Sequence, residues 1–301
     1  MRLIEPVGIT DSELLDSNVP ENDHPEWSSS TAYVEGDKVI VLSTHRIYEA
    51  LVDNSDVDPV ADDGTTWLDI GATERWRVFD EVVGTITSRT SPIYYKLMLG
   101  QSIGGRGAIG MLGLLAGSVR IRINDPIDGV VYDQTAQLVD NSGVSDWQSY
   151  LFEPINFGQR IAVFDLPIFG DSEVEIWVLG EGNVQAGQIV IGPSRTLGTV
   201  GVGAGLGLLD FSKKDRDDFG NLRVVERAFA LTTDFPFMFP ASDGVRVQGI
   251  VARNRARPTI WSAGDDTDKF GTLIYGIVRD FSVDLTSNNI AFANLEIEGL
   301  T

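Results

Sequence analysis

The sequence contains no cysteine among its 301 residues and only two histidines. The absence of cysteine excludes disulfide bonds, thiolate catalysis and zinc–thiolate sites. Two histidines are too few to build a multi-histidine metal centre. We therefore expect no bound metal or cofactor, and the chemistry that remains is that of carboxylates, hydroxyls and aromatic rings.

Basic residues are also scarce, because 23 Lys and Arg face 44 Asp and Glu, a formal net charge of -21. Such a field repels the phosphates of nucleic acids and anionic lipid surfaces. No apolar run reaches eighteen residues, and the first residues lack the pattern of a signal peptide. We expect neither nucleic-acid binding nor membrane insertion, and synthesis in the cytoplasm without a signal peptide.

What the chain does have is the composition of a globular protein, with 43% hydrophobic and 9% aromatic residues. Its length predicts two or three folding units. The acidic surplus is concentrated in residues 1–80, where eighteen acids face five bases. A solvated surface and a docking face for a basic partner both agree with this surplus.

The first residues predict an extended N-terminal arm over residues 1–26, with one short helix from Asp11 to Leu15 capped by Thr10. Its apolar residues are too few for a core of their own, so we expect them to pack on another domain or subunit. Residues 27–75 follow as a small β domain. Its predicted strands are Lys38 to Leu42 and Ile47 to Val52.

Residues 76–194 predict a β-sandwich or jelly roll. Apolar and polar residues alternate from Ser118 to Asn124 and from Glu173 to Val178, as in half-buried antiparallel strands. A Gly-rich linker, or a close backbone passage, is expected over residues 195–209.

Residues 210–301 predict a C-terminal α+β unit of order β-α-β-β. The expected elements are strands at Leu222 to Thr232, Phe270 to Leu285 and Ile290 to Ile297, and a helix from Val245 to Arg257 that Pro258 stops. The predicted fold class is mainly β and multidomain.

Motifs of known enzymes are weak or missing in this sequence. The glycine run at 201–208 breaks the dinucleotide fingerprint, and neither His24 nor His45 accompanies a Gly-x-Ser-x-Gly elbow. Two acidic clusters lack the EF-hand spacing and are best interpreted as solvated loops; they comprise Asp53, Asp56, Asp58, Asp62 and Asp63, and Asp265, Asp266 and Asp268.

An aromatic block is the most specific local pattern, with Trp27, Tyr33, Tyr48 and Trp67 spaced around a Gly-Asp-x-Val segment. This block resembles the small chitin-binding carbohydrate modules of families five and twelve. The resemblance implies a twisted three-stranded sheet that presents these four rings to sugar faces. Since a module this small has few other apolar residues, the same rings are also candidates for its core.

A second resemblance spans nearly the whole chain. It lies in Ser17 to Asp23, Thr44 to Leu51, Asp63 to Trp67, Gly71 to Asp80, Ser145 to Tyr150, Phe152 to Pro154, Asp217 to Asn221, Val225 to Ala228 and Leu295 to Leu300. In these stretches the chain resembles a family of tailed-bacteriophage virion proteins of the tail tip, baseplate and tail fibre. The resemblance implies a structural, non-enzymatic role in the virion, with other tail proteins as partners and host surface glycans as a possible ligand of the module.

Two other functions remain open at this point. The first is a polysaccharide-degrading enzyme with a carboxylate pair near Asp215 to Asp218 or Asp265 to Asp268. The second is a purely structural adaptor whose small module binds no sugar.

Overall fold

The computed structural model describes residues 1–140, 156–216, 219–264, 272–284 and 289–300. The chain is mainly β, with 54% strand and 7% helix, and includes a curled antiparallel sheet. No helix in the described part of the chain is long and apolar enough to cross a membrane.

The strands of the described residues are β1 (Arg2–Ile4), β2 (Leu14–Ser17), β3 (Ala32–Tyr33), β4 (Lys38–Val41), β5 (Arg46–Ala50), β6 (Asn54–Ser55), β7 (Trp67–Ala72), β8 (Thr87–Thr90), β9 (Ile93–Met98), β10 (Gly105–Leu112), β11 (Ser118–Asp125), β12 (Gly129–Gln137), β13 (Val139–Asp140), β14 (Asn156–Phe157), β15 (Arg160–Ile168), β16 (Glu173–Leu179), β17 (Asn183–Ala186), β18 (Gln188–Thr196), β19 (Thr199–Val200), β20 (Gly205–Asp210), β21 (Lys213–Arg216), β22 (Leu222–Val225), β23 (Phe229–Pro240), β24 (Thr259–Ser262), β25 (Ile274–Asp284) and β26 (Ile290–Gly299). The helices are α1 (Gly100–Ile103) and α2 (Gly244–Arg253), with 3-10 turns at Arg77–Phe79 and Ala241–Asp243.

A large sheet runs through the molecule in the order β15-β10-β18-β1-β24-β25-β26-β23-β19, and β20 also pairs with β23. Its strand β1 lies between β18 and β24, and pairs antiparallel with both. Leu3 and Ile4 of β1 are fully buried. The arm predicted over residues 1–26 thus begins as a strand of the large sheet, and its first apolar residues pack on other predicted regions of the same chain.

The helix predicted from Asp11 to Leu15 is also wrong. Thr10 and Glu13 do form the expected cap, with the Thr10 amide donating to Glu13 Oε2 at 2.9 Å, but it closes a single turn. Leu14 then begins β2, which pairs with β9. The pairing of Leu14 with a strand distant in sequence thus outweighs the helix propensity of the residues around it.

A second sheet, of order β12-β11-β16-β9-β2, shares a core with one end of the large sheet. The alternation predicted for β11 and β16 is confirmed: Val119, Ile121 and Ile123, and Val174, Ile176 and Val178, are buried. Side chains of β10 and β18, among them Ile109 and Ile191, pack in the same core.

The C-terminal part of the chain packs α2 on the large sheet. Val247, Ile250 and Val251 of the helix join a core with Phe235 and Trp261. The helix ends at Arg253, four residues before the predicted end, and the predicted strand Leu222 to Thr232 is two strands, β22 and β23. Residues 265–271 and 285–288, at the ends of the strand predicted from Phe270, lie outside the described residues.

The linker predicted over residues 195–209 is replaced by paired strands. β18 extends to Thr196, β19 pairs with β23, and β20 pairs with the other end of β23. A Cβ on Gly198 would lie 2.3 Å from the Met238 carbonyl oxygen, so the two backbones approach each other closely at this glycine. A close backbone passage was the alternative interpretation of the Gly-rich segment. Because β1 joins β18 to β24, the large sheet continues across the predicted boundary.

The small module consists of the three-stranded sheet β4-β5-β7 and the pair β3-β6. Tyr33, Val39, Tyr48, Ala50 and Trp67 form its core.

Candidate functional site

Strands β3, β5 and β7 bring three of the four predicted sugar-binding rings together. Tyr33 and Trp67 meet edge to face, with ring centroids 5.2 Å apart and an interplanar angle of 74°. Tyr33, Tyr48 and Trp67 are only 7%, 8% and 2% exposed. They pack against Val39 and Ala50 in the core of the module.

The polar groups of two of these rings, Trp67 and Tyr33, form hydrogen bonds within the module. Trp67 Nε1 donates to the Val57 carbonyl at 3.0 Å, and the Tyr33 hydroxyl accepts from the Ser28 amide at 2.8 Å. Rings that are covered and internally bonded have no face for a sugar to stack on. Tyr33, Tyr48 and Trp67 are therefore core residues in this structure, and the prediction that they present their faces to a ligand is not supported.

Trp27 differs from the other three rings. It is half-buried and packs on the edge of the module core, where its backbone amide donates to the Ile40 carbonyl at 2.9 Å. Its indole Nε1 is buried and has no hydrogen-bond partner among the described residues. Of the predicted sugar-binding rings, Trp27 is the one that keeps part of its surface open.

The acidic cluster of the module builds turns. Asp62 Oδ2 accepts hydrogen bonds from the amides of Gly64, Thr66 and Trp67 at 2.9, 3.0 and 2.9 Å. These bonds, that of Trp67 first, hold the pKa of Asp62 below its ordinary value. Within the described ranges no group of three or more histidines and carboxylates is arranged to hold a metal, and Asp265, Asp266 and Asp268 lie outside those ranges.

A polar cluster around His45 joins the module to the rest of the chain. The His45 ring stacks on Trp76 at 4.1 Å between centroids, and its Nδ1 lies 2.9 Å from Glu21 Oε1. Thr73 Oγ1 donates to the same Glu21 oxygen at 2.8 Å. The other ring nitrogen lies 3.0 Å from Asp11 Oδ1 but lacks hydrogen-bond geometry. The ring is thus held between Trp76 and Glu21.

A feature that the sequence analysis missed is an exposed β-ribbon, formed by the described residues of segment 205–231 (205–216 and 219–231), which we call the docking ribbon. β20 pairs with the first half of β23, and the chain between them continues as the two-stranded pair β21-β22. Every residue of β21 and β22 is exposed. The large apolar side chains exposed on the docking ribbon are Leu206, Leu208, Phe211, Phe219, Leu222, Val224, Val225, Phe229 and Leu231.

Both faces of the docking ribbon are apolar. Val224 and Val225 are consecutive in β22, so they point to opposite faces, and both are exposed. A sequence signal was present, since apolar and charged residues mix here without the strict alternation of a half-buried strand. Because residues 222–232 were interpreted as one strand, this irregular pattern was not used to predict an exposed ribbon.

A cavity of about 300 Å³ lies at the base of the docking ribbon. It is lined by the loop Val83 to Ile86, by Leu231 at the end of the docking ribbon, and by residues in or next to five body strands, β10, β15, β18, β25 and β26. The apolar side chains from these body strands are Leu112, Ile274, Tyr275 and Leu300. The Tyr275 side chain is buried, and its hydroxyl has no hydrogen-bond partner in the described part of the chain. This is the size and character of a small binding pocket.

Comparison with known proteins adds no family to these observations. No protein-family model matches the chain, and a search of curated protein sequences finds no match.

Proposed function

We propose that this chain is a structural subunit of a tailed-bacteriophage virion, in the tail tip, baseplate or tail-fibre base, and that it docks on other virion proteins through the docking ribbon. The resemblance of the sequence to tail proteins gives the setting. The observation that carries the docking role is the row of nine exposed large apolar side chains on residues 205–231.

Exposed apolar side chains on this scale are unusual for a chain that works alone. Soluble monomers rarely expose contiguous apolar patches above a few hundred Å² unless the patch binds something. A two-stranded ribbon is also marginally stable by itself in water. A neighbouring subunit that covers the docking ribbon would remove its apolar side chains from water and stabilise its two strands. Such a contact is what assembly into a virion would provide.

In this proposal the predicted parts of the chain keep distinct tasks. Residues 27–75 project outward as the acidic module, residues 76–194 act as a spacer or a lectin-like unit, and residues 210–301 anchor the subunit in the tail. Host surface glycans remain a proposed ligand of the module, now through Trp27 and its surroundings. The burial of Tyr33, Tyr48 and Trp67 favours the alternative of an adaptor that binds no sugar.

The enzymatic alternative finds little support near Asp215. This residue is exposed and forms an ion pair with Lys213 at 2.8 Å, in a strand of which every residue is exposed. A carboxyl group that acts as general acid needs an apolar pocket to raise its pKa. Asp217, Asp218, Asp265, Asp266 and Asp268 lie outside the described residues.

Deletion of the docking ribbon tests the proposal. Residues 211–228 are replaced by a short turn in a phage that carries this gene, and purified particles are probed for the protein. We expect the full-length chain in the particles and the shortened chain, folded by circular dichroism, to be missing from them. Ile127→Ser, at an exposed turn outside the docking ribbon, is the control and should be incorporated normally. Absence of the full-length chain from particles, or normal incorporation of the shortened one, would refute the proposal.

Glycan binding is tested separately on an array of bacterial surface glycans. If the module binds, Trp27→Ala should reduce binding at least tenfold in a chain that circular dichroism shows to be folded at the assay temperature. An array on which the folded wild-type protein binds nothing would support the adaptor.

A further inference from the structure

We propose that the partner of the docking ribbon is a second copy of this chain, whose cavity at the ribbon base receives apolar side chains of strand β22. This inference rests on the proposed structural role and names one partner in it. Four observations support it: the cavity wall, the unpaired hydroxyl of Tyr275, the edges of the ribbon, and the distribution of charge.

The cavity wall matches the side chains that the docking ribbon exposes. The cavity measures about 300 Å³, and Leu112, Ile274 and Leu300 are among its apolar lining. Leu222 and Val224 of β22 are 54% and 52% exposed and alternate with charged Arg223, so both point to one face. Two side chains of this size fit a cavity at the lower end of the range for ligand pockets.

Tyr275 supplies a hydrogen bond that the chain does not use. The residue is 5% exposed and its hydroxyl has no partner in the described ranges. Burial raises the pKa of this hydroxyl, and the charges of Glu81 and Asp80 raise it further, so the group stays neutral and can donate. A buried polar group without a partner is costly, and an incoming carbonyl oxygen would remove that cost.

The docking ribbon carries suitable acceptors along its edges. Among the described residues β21 and β22 pair only with each other. In an antiparallel pair, alternate carbonyl groups of each strand point away from the partner strand. An outward carbonyl of β22 can accept from Tyr275 while Leu222 and Val224 enter the cavity.

The distribution of charge favours a second copy over a basic partner. Residues 205–231 carry five acidic and five basic side chains, so the docking ribbon is neutral, and the other 274 residues carry the whole net charge of -21. Two copies of such an acidic chain repel each other unless they meet through a neutral surface. A basic partner would be attracted to the acidic module, whereas the neutral docking ribbon would give it no electrostatic attraction.

The inserting strand and the receiving cavity are two different surfaces of each copy. Leu231 lines the cavity, whereas no residue of β21 or β22 does so. Each copy thus offers one ribbon and one cavity, which are different surfaces. If each ribbon enters the cavity of the other copy, two chains form a symmetric dimer, whereas one-way contacts build closed rings or filaments.

The absence of cysteine allows a direct test by site-specific cross-linking of the full chain. Leu222→Cys places one thiol on β22, and Ile86→Cys places one on the cavity rim, where Ile86 is 41% exposed. The two proteins are purified separately, mixed and oxidised, and the mixed disulfide is quantified by non-reducing electrophoresis. Ile127→Cys, 91% exposed at the turn between β11 and β12, is the matched control for the rim position.

We expect the ribbon–rim disulfide to form at least tenfold faster than the ribbon–control disulfide. Equal rates for the two pairs would overturn the proposal. Because Leu222, Ile86 and Ile127 are exposed, none of the three substitutions should disturb the fold, and circular dichroism verifies this.

Analytical ultracentrifugation of chains without cysteine gives a second measurement. We expect wild-type oligomers that grow with concentration, no oligomers for Leu222→Asp, and association weakened about three- to tenfold for Tyr275→Phe, which keeps the ring and loses the hydrogen bond. A wild-type chain that stays monomeric, or a Tyr275→Phe chain that associates normally, counts against docking in the cavity. Incorporation into particles is measured separately. A chain that is incorporated through its ribbon but does not self-associate would refute the second copy as the partner and leave the proposed virion role standing.

Discussion

Glu5 and Arg195 form an ion pair of 2.7 Å that ties the residue after β1 to the adjacent strand β18. The second carboxylate oxygen of Glu5 faces Arg253 at 3.4 Å and Asn254 at 3.3 Å, at the end of α2. Burial raises the pKa of Glu5, but the hydrogen bonds of Arg195 and Asn254 and the charges of Arg195 and Arg253 lower it more, so the net pKa lies below 4.5. One carboxylate therefore connects two strands and a helix.

Glu5→Gln should destabilise the chain by about 1.5–3 kcal/mol at pH 7, the cost of losing hydrogen bonds to a charged group. The pKa of Glu5 is lower in the folded chain than in the unfolded chain, so its ionised carboxylate stabilises the fold at pH values above the unfolded-state pKa. This stabilisation is lost as the pH falls through the folded-state pKa. The difference between the two proteins should thus shrink below about pH 4.5. Urea unfolding from pH 7 to pH 3 measures it, with exposed Glu181→Gln as the control. A difference that is constant over this range would contradict the assignment.

Gly192 and Gly249 should respond in opposite directions to replacement by alanine. A Cβ on Gly192 would lie 1.6 Å from the Glu5 carbonyl oxygen, so Ala must push β18 away from the chain after β1. We expect a loss of about 3 kcal/mol or more. Gly249 lies in α2 with open space at its Cβ, so Gly249→Ala should stabilise by about 1 kcal/mol. Thermal and urea unfolding measure both, and a destabilising Gly249→Ala would show the helix face to be covered.

Trp67→Ala should unfold the small module locally instead of merely removing a ligand contact. The ring is 2% exposed and its Nε1 bonds the Val57 carbonyl, so truncation should cost about 3–5 kcal/mol. Hydrogen exchange should rise across residues 33–72 and stay unchanged in β11 and β16. Leu68→Ala, at a side chain that is 48% exposed, is the control. Intact protection of the module in Trp67→Ala would contradict a core role for this ring.

Apolar side chains of the docking ribbon should contribute little to the stability of the isolated chain, although residues of the same type in the sheet contribute much. Phe235→Ala removes a fully buried ring of β23 and should cost about 3–5 kcal/mol. Leu206→Ala, at a side chain that is 59% exposed, should change stability by no more than about 0.5 kcal/mol. Unfolding is measured at low protein concentration. A large loss for Leu206→Ala would mean that the docking ribbon is already packed within one chain.

Local patterns predicted much of the secondary structure because strand alternation depends only on neighbours along the chain. β11 and β16 were predicted nearly to the residue, and α2 was predicted with its end displaced because Asn254 already ends the helix. Long-range pairing was not predictable in this way. Nothing in the segment Arg2–Ile4 indicates that it will lie between strands from residues 188–196 and 259–262.

For the candidate sites, too, local patterns were predictable and long-range packing was not. The spacing of Trp27, Tyr33, Tyr48 and Trp67 indicated a small aromatic module, but burial depends on how much other apolar material that module contains, and three of the rings are needed for its core. The cavity at Tyr275 is built from segments separated by more than 200 residues, so no local motif could reveal it.

The place of β1 between β18 and β24 has a consequence for how the protein is made. Residues 2–4 leave the ribosome 258 residues before Ser262, the last residue of their second partner strand. At about 5–20 residues per second, the backbone groups of β1 that face β24 wait roughly 13–50 s for their native partners. A chain interrupted before β24 therefore exposes a bare strand edge in the middle of its unfinished sheet, which makes such fragments prone to aggregate.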